Sequence, residues 1–141
     1  MCADHESVRL KRIATGQLVL PATVNGVKGI FVLDTGSGNT IIDVLKKDKF
    51  KITEADICPT TETAVGAGAS GIALELATVR TFSAARRRMR NVTVFLMDMS
   101  NVNNEFTAAG MRNIDGILGS DILFAHNAVI DYGSMTLKMN K

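Results

Sequence analysis

The stretch Ile30-Phe31-Val32-Leu33-Asp34-Thr35-Gly36-Ser37-Gly38 decides how this chain is read: four apolar residues run into a carboxylate, and hydroxyl and glycine residues follow at once. β-Branched and aromatic side chains over residues 27–33 mark a strand, so Asp34 stands where the strand ends and a tight turn begins. An apolar strand desolvates a carboxylate at its end, while hydroxyl and N–H donors in a turn favour the charged form. Asp34 is thereby suited to acid–base work. A bare Asp-x-Gly triplet also has an ordinary reading, the turn that closes a strand, so the surrounding sequence has to decide.

Upstream, Leu18, Leu20, Ala22 and Val24 alternate with other residues, the period of a half-buried strand, and Asn25-Gly26 supplies the turn of a hairpin into residues 27–33. Downstream, residues 40–42 read as a further short strand, and Asp43 as the cap of a short helix through Phe50, with Val44, Leu45 and Phe50 facing inward. Pro59 and its threonine neighbours read as loop or edge structure. The segment Gly66-Ala67-Gly68-Ala69-Ser70-Gly71 then forms the tip of a second long hairpin, continued by the alternating Ile72, Leu74 and Leu76. Its glycines suit a mobile lid. Arg86, Arg87, Arg88 and Arg90 read as a solvated turn before a strand at 92–97, and residues 101–112 as a loop with one short helix. Residues 114–124 combine an apolar run and glycines with a helix capped by Ser120, and 128–131 pairs with 135–139 as a last hairpin. No repeat or internal domain boundary interrupts this β-rich order.

With 141 residues the chain has room for one domain. Apolar residues at 46% and charged residues at 21% are globular values, which argues against general disorder. A net charge of +2 is too balanced to make nucleic acid or an anionic membrane the default partner, and six Phe, one Tyr and no Trp leave little material for stacking bases. The apolar runs fall far short of the roughly 20 residues that span a bilayer, so no transmembrane segment is expected. The first residues lack the apolar stretch of a secretory signal. The expectation is a cytoplasmic protein, or a periplasmic or secreted one whose leader has been removed. Cys2 and Cys58 fit neither a disulfide framework nor a CxxC site, and His5 and His126 belong to no metal-ligand spacing, so neither metal nor cofactor is expected.

The Asp34-Thr35-Gly36-Ser37 motif is joined by a distant apolar-apolar-Gly, Ile117-Leu118-Gly119, running into Ser120-Asp121. On these two motifs the chain resembles the retropepsin-like aspartic proteases, in particular single-domain bacterial ones, from about residue 17 to residue 139. The resemblance implies a mainly β, closed barrel-like acid-protease fold with a flap hairpin and one or two short helices. Residues 1–16 would be a partly flexible N-terminal segment ahead of a single domain at 17–141. It implies Asp34 as the catalytic aspartate, a brace across two halves of the site by Thr35, a tight turn at Gly36 and a hydrogen bond from Ser37 to the Asp34 carboxylate. Ile117, Leu118 and Gly119 would support the active-site loop from beneath. Gly66, Ala67, Gly68, Ala69, Ser70 and Gly71 would be the flap over an extended peptide, here without a Tyr or Trp.

Such an enzyme hydrolyses peptide bonds in peptide or protein substrates with water held between two carboxylates that share one proton. Only one Asp-Thr-Gly occurs, so two chains are expected to supply the pair in a twofold homodimer. Asp115-Gly116 and Asp131-Tyr132-Gly133 lack the small hydroxyl residue between Asp and Gly and read as turns. Two other readings compete. Residues 66–71 fit GxGxxG, with Arg86 to Arg88 about 20 residues on as an NADP-type partner, although the strand period after them opposes the helix this motif needs. The other is a catalytically inactive peptide-binding module of the same fold.

Overall fold

A computed structural model of the chain describes residues 7–64 and 72–140. In chain order the strands are β1 (Ser7–Arg9), β2 (Lys11–Arg12), β3 (Leu18–Val24), β4 (Val27–Leu33), β5 (Ile41–Asp43), β6 (Ile57–Ala64), β7 (Ile72–Ala84) and β8 (Arg87–Met97). Helix α1 (Ser100–Ala108), β9 (Gly116–Leu118), α2 (Ser120–Ala125), β10 (Val129–Asp131) and β11 (Thr136–Lys138) follow.

The expected hairpin is β3–β4, and Asn25 and Gly26 turn it with φ of 50° and 81°, both left-handed. This mirror-image turn matches strand twist, and Asn and Gly tolerate it best. Asn25 does more than turn. Its side-chain Nδ2 donates to the Phe50 carbonyl at 2.8 Å, and its Oδ1 accepts from the amides of Arg80 and Thr81 at 2.9 and 3.2 Å. These bonds pin the hairpin tip to β7 where Ala22 pairs with Ala84. That pairing closes the order β3-β4-β9-β5-β8-β7 back onto β3, a six-stranded barrel from which β2 and β6 extend as edges. A separate sheet, β1-β11-β10, is formed by the ends of the chain.

Inside the barrel Phe31, Phe50 and Phe82 are fully buried, and the rings of Phe31 and Phe82 meet edge to face at 5.5 Å. Leu20, Val24, Ile42, Val94 and Leu118 complete that interior. A second cluster lies on the other face of β3 and β4, where Val19 and Val32 pack with Met99, Phe106 and Ile114. Thus β4 is buried on both faces, which accounts for its unbroken apolar run.

Several local expectations change. The helix after Asp43 is one 3-10 turn, Val44–Lys46, with Asp43 capping it through Leu45 N–H, and Leu45 faces solvent at 63% exposure. Ser120 is the first helical residue and Gly119 takes the cap position. Arg87, Arg88 and Arg90 belong to β8; the turn before it is Ala85-Arg86, at φ of 48° and 64°. Residues 57–64 form an edge strand, and 72–84 form a strand where a dinucleotide loop requires a helix. Asp115 is not a turn residue. It is buried at 4% exposure, with Oδ2 accepting from Ile30 N–H at 2.9 Å and Oδ1 held by the ammonium groups of Lys46 and Lys49, each at 3.1 Å. Asp131 does sit at a turn, accepting from the amides of Gly133 and Ser134.

Burial of Asp115 opposes its charge, but the Ile30 amide and the two lysines outweigh it and hold the carboxyl below its ordinary value. A depressed folded value means that this stabilisation is complete above the unfolded value of about 3.9 and is lost as pH falls through the lower folded one. Asp115→Asn is therefore expected to cost about 1.5–3 kcal/mol at neutral pH, the scale of charge-assisted hydrogen bonds. Its melting temperature should converge on the wild type as pH falls from about 3.9 through the lower folded value; a gap that stays constant with pH would refute the ionic origin.

Candidate active site

β4 delivers Asp34 to the rim of the barrel, and the loop at 34–39 is then tied to β9 and α2 by backbone bonds. Asp34 N–H donates to Leu118 O at 3.1 Å, Ser37 N–H to Asp34 O at 3.1 Å, and Ser120 N–H to Ser37 O at 2.7 Å. Parallel pairing of Val32 with Ile117 and of Leu33 with Leu118 sets this register. Ile117, Leu118 and Gly119 therefore lie directly alongside the loop, with Leu118 and Gly119 buried. A side chain at Gly119 would place Cβ 2.5 Å from Asn39 O and 2.9 Å from Ser37 O. Only glycine lets the two backbones approach this closely.

The half-buried Asp34 accepts at Oδ1 from the Gly36 amide at 2.9 Å. Gly36 is not in the left-handed region; its lack of a side chain makes room instead, because a Cβ there would lie 3.3 Å from Asp34 Oδ1. Ser37 departs from expectation. Its hydroxyl donates to Asn39 O at 2.7 Å rather than to Asp34, so within one chain it braces the loop. The exposed Thr35 has no hydrogen-bond partner among the described residues. It borders a shallow groove of about 350 Å³ with Ser120, Phe124 and Ile130. The segment 66–71, expected as the flap, lies outside the described residues.

Two supporting residues escaped the sequence reading. Thr40, fully buried, donates from Oγ1 to Asp121 Oδ1 at 2.8 Å and from its amide to Asp121 Oδ2 at 3.0 Å, and its Oγ1 accepts from Gly119 N–H at 3.1 Å. This clamp joins the end of the Asp34 loop to the first turn of α2. A signal was available in Asp121, an acidic residue in a helix's first turn, where carboxylates favour the dipole. Nothing nearby in sequence marked Thr40 as its partner.

A family model described as aspartyl protease matches residues 20–122. Among solved structures the chain is similar to a retropepsin-like aspartic protease from Rickettsia conorii, at 18% identity and a TM-score of 0.64, covering 94% of this chain and 89% of that one. It is also similar to the retroviral protease-like domain of Ddi1 from Leishmania major, at 16% identity, TM-score 0.56 and 89% coverage of each chain. EIAV protease, solved with an inhibitor, matches at 16% identity and a TM-score of 0.58, over 82% of this chain and 92% of that one. No curated protein matches the sequence.

Thr40→Val keeps the shape of this side chain but removes the clamp to Asp121 and strands the buried Gly119 amide. It is expected to cost about 1–3 kcal/mol, measured by urea denaturation. A variant as stable as wild type would mean that the clamp contributes nothing to holding the loop.

Proposed function

The chain belongs to the aspartyl protease family, with a retropepsin-like fold, and from that premise we propose that it is an aspartic endopeptidase whose catalytic pair is Asp34 from each of two copies. The observation that carries this reading is the isolation of Asp34. Of the other two Asp residues followed closely by a glycine in sequence, Asp115 is buried against Lys46 and Lys49, and Asp131 is occupied by its own turn. Neither is left to share a proton with Asp34.

A second copy also answers to what the surface exposes. Phe124 on α2 is 83% exposed beside Thr35, and Val129 and Tyr132 are 53% and 72% exposed at and just after β10. Covering them around a twofold axis removes apolar area from water, at about 25 cal/mol per Å², and brings Thr35 to its counterpart. In the dimer one Asp34 is ionised and the other protonated, because neighbouring like charges resist double ionisation. The ionised carboxylate takes a proton from water as the water oxygen bonds to the peptide carbonyl carbon. The protonated one stabilises the carbonyl oxygen as it gains charge. Proton transfer to the amide nitrogen then lets the C–N bond break, giving a carboxylic acid and an amine with no covalent enzyme intermediate.

Asp34→Asn is expected to lower kcat/KM on a peptide library by about 10³-fold or more, with dimer mass unchanged in sedimentation. Equal cleavage by both proteins would reject the mechanism, and peptide binding without cleavage by the wild type would favour an inactive binding module. Phe124→Asp, at a position exposed in the single chain, should keep the wild-type circular dichroism spectrum yet sediment as a monomer and lose cleavage. A monomer that still cuts peptides would overturn the shared site.

A further inference from the structure

A second concave site lies away from the Asp34 loop, between α1 and the outer face of the β3–β4 hairpin, and encloses about 580 Å³. Its floor is apolar, made by Val19, Ile30, Phe106, Met111 and Ile114. Its remaining lining includes Lys11, Arg12 and Arg112, three cations with no carboxylate among the described lining residues. All three are exposed, and none forms an ion pair among the described residues. The volume lies in the usual range for ligand sites, about 300–1,000 Å³, and the charge is of one sign. An occupant that is apolar where it enters and negatively charged where it leaves matches both properties.

Backbone geometry narrows the class of occupant. Among the described residues β2 is the outermost strand of its sheet, paired only with β3. Ile13 N–H donates to Gln17 O at 2.9 Å, extending the register in which Lys11 faces Val19 and Arg12 faces Leu18. In an antiparallel pair, hydrogen-bonded and non-hydrogen-bonded positions alternate. Ile13 and Lys11 therefore bond toward β3, while the amide and carbonyl of Arg12 point outward, at the border of the cavity. A strand edge, an apolar pocket and clustered cations are what an extended peptide uses: its backbone pairs with the edge, one side chain fills the pocket and its acidic neighbours meet the cations.

We propose that this cavity is a docking site for an extended acidic peptide segment carrying one large apolar side chain. The segment adds to the open edge of β2, sets its apolar side chain against Phe106 and Ile30, and places carboxylates near Lys11, Arg12 and Arg112. The site shares no lining residue with the loop at 34–39, so binding here does not depend on Asp34 being catalytic.

The test uses the full chain carrying Asp34→Asn, which keeps a probe intact, and a fluorescein-labelled peptide Glu-Ser-Glu-Phe-Glu-Ser-Glu read by fluorescence anisotropy. Saturable binding is expected, at least about tenfold weaker when the glutamates are replaced by lysines or the phenylalanine by serine. The double variant Lys11→Glu and Arg112→Glu, at exposed positions, should melt like its parent and lose binding about tenfold. Replacing Arg12 by proline at the strand edge should weaken binding with the cations at Lys11 and Arg112 still in place. Absence of binding, equal binding of the glutamate and lysine peptides, or indifference to the charge reversal would overturn the proposal. Binding of dodecanoate in place of the peptide would assign the cavity to a lipid-like anion and overturn it equally.

Discussion

The candidate site rests on one close approach, the backbone of Gly119 against the backbone of residues 37–39. A Cβ at Gly119 would lie 2.5 Å from Asn39 O, so the contact exists only because that position has no side chain. From it follow the bond from Ser120 N–H to Ser37 O, the bond from Gly119 N–H to Thr40 and the start of α2 immediately beneath the loop. It also explains why Ser120 does not cap the helix: Gly119 fills the cap position as part of this contact. An apolar-apolar-glycine sequence is thus a physical requirement of the Asp34 loop and not merely a companion motif. Leu118 anchors it in the barrel, and Gly119 lets the loop settle on it.

Around this contact other carboxylates are committed, Asp121 at an exposed position and Asp115 and Asp43 in buried ones. Asp121 receives Thr40 twice and Asp115 pairs with two lysines. Asp43, almost wholly buried, accepts from the amides of Leu45 and Met99 and from the Asn103 side chain. Asp115 and Asp43, being buried, each carry a desolvation cost that their partners must offset. Asp34 differs in having one bond from the Gly36 amide and a half-buried position at the edge of the barrel. The catalytic role proposed for Asp34 would need that difference, since a carboxylate saturated by fixed donors would have little capacity left for water or substrate.

What could be read from sequence was what depends on local pattern. The alternation at 18–24 with Asn25-Gly26 gave the hairpin, the apolar run into Asp34 gave the strand and its end, and the spacing to Ile117-Leu118-Gly119 gave the family. What could not be read depends on partners distant in sequence. Asn25 has a turn residue's identity, but its side chain closes the barrel through Arg80 and Thr81. Asp115-Gly116 looks like a turn because Asp-Gly usually is one; two lysines almost seventy residues earlier turn it into a buried ionic centre. The orientation of Ser37 was missed for a related reason. A hydroxyl has several acceptors within reach, and loop geometry selected Asn39 O over the carboxylate.

The unbroken apolar run of β4 has a further consequence for α1. A barrel strand with one wet face would alternate, yet Ile30 and Val32 pack outward beneath the helix while Phe31 packs inward. The helix that covers them is not loosely attached. Asn103, buried on α1, exchanges bonds with both the amide and the carbonyl of Ile114 and reaches the Asp43 carboxylate, which itself caps the turn after β5. Breaking one member of such a network leaves the others unsatisfied away from water, so it resists partial opening. Phe106 and Ile114, which form part of the cavity floor, are thereby held to the same framework that carries β9 and the Asp34 loop. A pocket whose walls are fixed before anything enters spends little of its binding energy on ordering itself, and that rigidity is what allows a short strand edge and a few surface cations to make a specific site.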